Sequence, residues 1–190
     1  MGSVKAANIV IVLLVVIIGI GAIALWNERP MTFNRPAPRR TMSESVRPTF
    51  EGPKKTVVLF FLARGGNILQ EETREIVGAA TTTEEVKRTL TELSKGPDSD
   101  LVPTIPRAAQ VRNVFIDSSG IAYADFDREL KEGHGGGAQE ELYTVFSIVN
   151  TLASNFAQIK RVQILVEGAE IPTLAGNVDT RMPLSPQYQF

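Results

Sequence analysis

Hydrophobic positions follow three rhythms along this chain, and each predicts a different kind of element. The first is unbroken: residues 6–27 are twenty-two positions without a charge, and Ile9–Ile18 contains only Ile, Val and Leu. A helix rising about 1.5 Å per residue needs roughly 20 such residues to cross a hydrocarbon core of about 30 Å, so residues 1–27 are predicted to form a transmembrane helix, with Trp26 and Asn27 at the far interface. A cleaved signal peptide is the competing reading, because Ala22-Ile23-Ala24 fits an A-x-A site and Lys5 supplies a thin positive flank. The apolar core exceeds the roughly 7–15 residues usual for a signal peptide, which favours a retained anchor.

The second rhythm is that of strands. Val57–Ala63 is continuously apolar, rich in β-branched and aromatic residues, and closed by Gly65-Gly66, as expected of a strand covered on both faces and central in a sheet. Asn67–Val77 reads either as a return strand or as a loop, because Glu71, Glu72, Arg74 and Glu75 interrupt any alternation. Val111–Asp117 and Ile121–Phe126 flank Ser118-Ser119-Gly120 and predict a hairpin; Arg161–Glu167 alternates through Val162, Ile164 and Val166 and closes at Gly168.

The third rhythm is helical. Thr81/Glu84 and Thr82/Glu85 match the capping-box spacing, Val86, Leu90 and Leu93 recur on one face, and Gly96-Pro97 stops the helix. A second helix begins near Ala138, with Leu142, Val145, Phe146, Val149, Leu152, Ala153 and Phe156 in a broad stripe. The order strand, helix, hairpin, helix, strand predicts an α+β fold: a split-βαβ-like two-layer domain, a sheet with two helices on one face, after the transmembrane helix.

Composition divides the chain further. Residues 27–55 carry seven Lys or Arg against three Glu, with Pro30, Pro36, Pro38, Pro48 and Pro53, so residues 28–55 read as a proline-rich basic linker, a stalk rather than a headgroup-binding segment. Residues 56–190 hold twelve basic against eighteen acidic residues, which argues against binding a phosphate backbone and so against nucleic acid as a partner. Residues 56–182 form the folded domain, and residues 183–190 read as an irregular tail. The absence of cysteine excludes disulfides, thiolate metal sites, a thiol nucleophile and lipidation of an N-terminal cysteine. By the positive-inside tendency alone, Arg29, Arg35, Arg39 and Arg40 would keep the domain in the cytoplasm; that rule is weak for long domains.

Catalytic candidates are sparse. His134 is the single histidine, and His134-Gly135-Gly136-Gly137 is similar in sequence to an oxyanion loop, but no G-x-S-x-G accompanies it and no second histidine can serve as base. Asp125, Asp127 and Glu129 present oxygens without the spacing of an EF-hand. The sequence therefore implies no catalytic residue, no metal and no cofactor. More telling is Tyr143–Gln158, sixteen residues without a charge. The helix face with Thr144, Ser147, Ile148 and Thr151 is neutral, which fits either a protein interface or a surface covered by a neighbouring loop or the tail. Acidic loops around Asp98, Asp100, Asp125 and Asp127 are candidates for binding an envelope ligand.

Leu93-Ser94-Lys95-Gly96-Pro97, Leu101-Val102-Pro103, Ser147-Ile148-Val149-Asn150-Thr151-Leu152 and Val162–Gly168, in that order, resemble the GerM domain of sporulation and spore-germination proteins. The resemblance implies an extracytoplasmic, membrane-tethered α/β module without enzymatic activity, similar in fold to ring-building domains of envelope-spanning complexes. It places the domain outside the cytoplasmic membrane, against the arginine count. The chain departs from the sporulation protein in having one copy rather than two, and a membrane helix in place of a lipid-attachment cysteine. The expected function is that of a scaffold or assembly module whose partner is itself or another envelope protein, with a cell-wall or envelope ligand-binding module as the alternative and a hydrolase behind both.

Overall fold

The computed structural model of the protein describes residues 52–189. The predicted anchor and nearly all of the predicted linker lie outside the described residues; among those described, no helix is long and apolar enough to cross a membrane. Six strands and three helices follow in the order β1 (Lys54–Leu62), β2 (Leu69–Val77), α1 (Thr82–Ser94), β3 (Val111–Ile116), β4 (Ile121–Phe126), α2 (Glu129–Glu132), α3 (Ala138–Asn155), β5 (Arg161–Val166) and β6 (Ala169–Glu170). The class is α+β, but the strands form two sheets rather than one. β1 and β2 make an antiparallel hairpin; the other sheet has the order β3-β4-β5-β6, with β4 and β5 parallel and the remaining pairs antiparallel.

β1 is covered on both faces, as its apolar run requires: Val57, Leu59, Phe60 and Phe61 are all buried. It is not central in a sheet, however. Its amides at Val57, Leu59 and Phe61 face β2, while the opposite edge is closed by groups that are not a strand of its sheet. The N–H of Val58 donates to Asn155 Oδ1 at 2.9 Å, the N–H of Phe60 donates to Thr151 Oγ1 at 3.1 Å, and Leu62 exchanges two backbone bonds with Val102. β1 also starts two residues inside the stretch predicted as linker.

β2 settles the open choice for residues 67–77 in favour of a strand. Its charged residues are structural: Arg74 donates to the carbonyls of Glu92 and Gly96 at 3.3 and 3.1 Å and so caps the C-terminus of α1, while Glu72 accepts from Arg74, from the amides of Asp98 and Ser99, and from the Ser99 hydroxyl. Burial alone would raise the Glu72 carboxyl; the Ser99 hydroxyl, those two amides and Arg74 outweigh it and hold the group below its usual value.

α1 follows its sequence signals closely. Thr81 Oγ1 accepts from the Glu84 amide at 3.2 Å, Val86, Leu90 and Leu93 face the core, and Gly96 ends the helix at φ 87°. The β3–β4 hairpin turns where predicted, with Asp117 Oδ1 accepting from the amides of Ser119 and Ile121 and from the Ser119 hydroxyl. Hydrogen bonding to Ile121 and Ser119 holds the Asp117 carboxyl below its usual value.

The segment after β6 is irregular but pinned to the fold. Thr180 returns to the carbonyls of Ile171 and Pro172, closing a loop of the Ω type, and Leu184 then bridges Val162 on the edge of β5. Tyr188, in the predicted tail, packs its ring 5.7 Å from that of Phe60.

Candidate functional site

The uncharged stretch of α3 explains how the domain holds itself together. Thr144, Ser147, Ile148 and Thr151, the predicted interface residues, are all buried within the chain's own fold. Thr144 Oγ1 donates to the Thr104 carbonyl at 2.6 Å; Thr104 Oγ1 donates to Ser147 Oγ at 2.8 Å, which donates to the Thr144 carbonyl at 3.0 Å. Thr151 receives the β1 amide described above. The face marked as a candidate interface is thus the face covered by the 102–106 segment, β1 and the tail. Charge depletion reports that a surface is desolvated, whichever part of the protein covers it.

Asn150 and Asn155 do the same with greater precision of geometry. Asn155 Nδ2 donates to the Val58 carbonyl at 2.6 Å while its Oδ1 accepts from the Val58 amide. Asn150 repeats this bidentate pairing on Gln187, at 2.6 and 2.9 Å. In both cases a side-chain amide stands in for a neighbouring strand.

His134 is held in place rather than poised for chemistry. The Gly136 amide donates to Nδ1 at 3.1 Å, which fixes that nitrogen as an acceptor and puts the proton on Nε2, 3.3 Å from Thr144 Oγ1. The proton of Thr144 is committed to a carbonyl, so its oxygen is free to accept. Both ring nitrogens therefore serve to fasten the Gly133–Gly137 loop over the start of α3.

Glu141 is the residue that sequence reasoning missed. It sits in the first turn of α3, fully buried, and its carboxylate accepts four hydrogen bonds: Leu174 N at 2.8 Å and Ala175 N at 2.9 Å on Oε1, Asn177 N at 2.7 Å and Asn177 Nδ2 at 2.9 Å on Oε2. Burial would raise this carboxyl, but the Ala175 amide and the side-chain and backbone donors of Asn177 more than compensate and lower it. The anion organises the 171–180 loop from inside, and Leu174 packs into the core beside it. A Glu near a helix N-terminus is what a solvated helix would show too, so the sequence carries no signal for this role.

The acidic loops are used in separate places. Asp98 pairs with Arg74 and the exposed Asp100 with Arg64, beside the β1–β2 hairpin. Asp125 Oδ1 accepts from the Gly168 amide at 2.7 Å and its Oδ2 pairs with Arg112, while Asp127 accepts from the Gln110 amide. The latter two fasten the ends of the four-stranded sheet. Asp125, Asp127 and Glu129 do not converge: among the described residues no group of three or more His, Cys, Asp or Glu is placed to hold a metal ion.

One concavity adjoins this framework. A cleft of about 380 Å³ opens between the 103–107 segment, the end of β1 and the first two turns of α3. Leu62, Pro103 and Ile105 form apolar walls, Tyr143 lies at the base with its hydroxyl 3.3 Å from the Gly66 carbonyl, and Arg107 and Glu140 stand at the rim.

Two sheets clamped by a central helix that is uncharged beyond its first turn, with the buried carboxylate of Glu141 in that turn ordering the loop behind it, define a small α+β module whose polar residues serve mainly its own architecture. Residues 58–172 match the Germane family, described as sporulation and spore germination, and the chain belongs to that family. No curated protein matches it. Among solved structures, the tandem GerMN domains of the sporulation protein GerM from Bacillus subtilis share 23% identity at a TM-score of 0.58, covering 70% of this chain and 46% of that one. The first GerMN domain of the same protein gives 22% and 0.53 over 71% and 97%, and a candidate lipoprotein from Clostridium perfringens gives 21% and 0.51 over 70% and 87%. At these identities the likeness is one of fold. The GerM-type resemblance of the sequence is therefore shown.

Proposed function

We propose that this protein is a membrane-anchored extracytoplasmic module of the cell envelope that acts without catalysis, by association with another copy of itself or with another envelope protein, in sporulation or germination. The anchor is the 6–27 segment, whose length and lack of charge suit a bilayer span. Family membership supports the setting. The observation that carries the association is an aromatic pair on the four-stranded sheet: Phe115 on β3 is 63% exposed, and its ring lies 5.9 Å from that of its cross-strand partner Tyr123.

β3 is the end strand of its sheet, but strand addition there is blunted. A bulge separates Val111 from Asn113, and Lys87 Nζ occupies the Arg112 carbonyl at 2.6 Å. Contact through the aromatic side chains is the remaining mode. One aromatic pair gives weak affinity in dilute solution, and confinement to a membrane raises the effective concentration enough to make a weak contact useful. The β3–β4 surface thus replaces α3 as the contact surface.

The absence of cysteine makes the test direct. With Ser118→Cys in the exposed β3–β4 turn as the sole thiol, crosslinking in intact cells should yield an adduct with a second copy or an envelope protein, and Phe115→Ser should remove it. An adduct that survives Phe115→Ser, or none at all, refutes association at this face. Digestion of the domain by protease added to spheroplasts, with cytosolic controls intact, tests the side of the membrane.

A further inference from the structure

We infer that the cleft beside α3 binds a short peptide with a free amino end and a free carboxyl end, Arg107 receiving the carboxylate and Glu140 the ammonium. This goes beyond the association proposed above and does not depend on it.

Arg107 and Glu140 are exposed, line one cleft and carry opposite charges, yet neither side chain has a hydrogen bond or ion-pair partner among the described residues, and they do not pair with each other. Arg64 is paired with Asp100, and Arg74 with Glu72, Glu92 and Asp98. Two unpaired opposite charges across one cleft suit a ligand that carries both signs at its ends.

The Glu140 carboxylate lies over the glycine loop: a Cβ on Gly135 would come 2.8 Å from Glu140 Oε2, so a side chain there would displace the carboxylate from this position. The loop is in turn fastened by His134 through Gly136 and Thr144. The opposite wall is stiffened by Pro103 and Pro106, whose ring closure fixes the backbone that carries Arg107.

Size and lining narrow the ligand. The volume, about 380 Å³, is at the small end for ligand sites and suits two or three residues. Leu62, Pro103 and Ile105 offer an apolar surface for an aliphatic middle side chain. A nucleotide or polyphosphate would call for clustered cations, whereas among the described residues Arg107 is the only Lys or Arg lining the cleft. A sugar would call for an exposed aromatic platform, whereas Tyr143 is buried and its hydroxyl is bonded to Gly66.

The test is isothermal titration of the full chain in detergent micelles with alanyl-leucyl-alanine, against its N-acetyl, C-amide and doubly blocked forms. Blocking either end should weaken binding by about tenfold, the scale of one charge-assisted contact at a partly exposed site. In Arg107→Gln the C-amide should bind as well as the free acid, and in Glu140→Gln the N-acetyl form should bind as well as the free amine. Equal binding of the doubly blocked and free peptides by the wild-type chain, or no binding of the free peptide up to about 20 mM, overturns the inference. The blocked-peptide comparison on the wild-type chain decides the matter even if a variant fails to fold. Retention of wild-type end dependence by both variants overturns the assignment as well.

Discussion

Replacing Glu141 by glutamine keeps the shape of the side chain and removes its charge, which isolates what the carboxylate does for the loop behind α3. Four N–H groups converge on it at 2.7–2.9 Å, two on each oxygen. The glutamine oxygen can keep one such pair. Its NH2 group would then face the other pair donor to donor. Losing two hydrogen bonds to a buried charged acceptor, at roughly 1.5–3 kcal/mol each, predicts a destabilisation of about 3–6 kcal/mol. Urea unfolding of wild type and Glu141→Gln measures the cost, and hydrogen exchange at the amides of Leu174, Ala175 and Asn177 shows whether it falls on this loop. The pH dependence has a definite sign. Because the folded carboxyl lies below its usual value of 4.5, its contribution is complete above that pH and is lost as pH falls through the lowered folded value. Wild type should therefore lose stability in acid more steeply than Glu141→Gln, and the two curves should converge there. A difference under about 1 kcal/mol at neutral pH, with unchanged exchange at the three amides, refutes the idea that the anion holds the loop.

Three further substitutions test the framework. Asn155→Leu leaves the Val58 N–H and C=O without partners on the edge of β1 and should cost about 2–4 kcal/mol in thermal unfolding, with faster exchange at the Val58 amide. Arg74→Met leaves the half-buried Glu72 without its cation and uncaps α1, a predicted loss of about 3–5 kcal/mol; the Glu72→Gln, Arg74→Met double variant should lose less than the sum of the singles in a denaturant double-mutant cycle. Gly120→Ala puts a Cβ 2.6 Å from the Gln158 carbonyl at φ 86°, whereas Gly65→Ala, at φ 103°, meets nothing; denaturation midpoints should show the former losing more than about 2 kcal/mol and the latter about 1.

Elements were legible in the sequence where one local signal determined them. α1 has its cap, its apolar period and its glycine stop within sixteen residues, and every one of these appears in the structure. α2 went unseen because four residues are too short for a period to register. β2 stayed ambiguous because Glu72 and Arg74 point into contacts with α1 and the 96–100 loop, and a polarity pattern treats any charge as facing solvent. The centre of a sheet was the natural place for β1, since a run apolar on both faces is what a central strand shows. The same run also suits a hairpin strand clamped by a helix, and hydropathy cannot tell which group takes the second edge. The α3 face stayed open for a related reason. The lack of charge around Thr144, Ser147, Ile148 and Thr151 fitted both an interface and a cover by the chain's own loop or tail, and the groups that bond Thr144, Ser147 and Thr151 across that face lie 40 or more positions away, beyond the reach of any local pattern.

These cases converge on the composition of α3. A helix at the centre of a small domain would be easiest to build from Leu, Ile and Ala, yet this one places Thr144, Ser147, Asn150 and Thr151 in the interior and Asn155 half-buried at its end. All but Ser147 sit where an irregular or edge segment presents backbone groups that lack a strand partner: the carbonyl at Thr104, both groups of Val58, the amide of Phe60 and both groups of Gln187; Ser147 accepts instead from the Thr104 hydroxyl. Leaving such a group buried and unpaired costs about 1–3 kcal/mol, so an all-apolar helix would force these segments back into water or into another sheet. The short uncharged side chains satisfy them without the desolvation cost of a full charge. Glu141 is the exception, and it is the one place where four donors converge instead of one or two, enough to stabilise an anion. The polarity of α3 is therefore graded to the number of polar groups each position must satisfy. That is why its neutral face is internal, and why the contact surfaces proposed for this protein lie elsewhere, on the β3–β4 aromatic pair and in the cleft at the helix's N-terminal end.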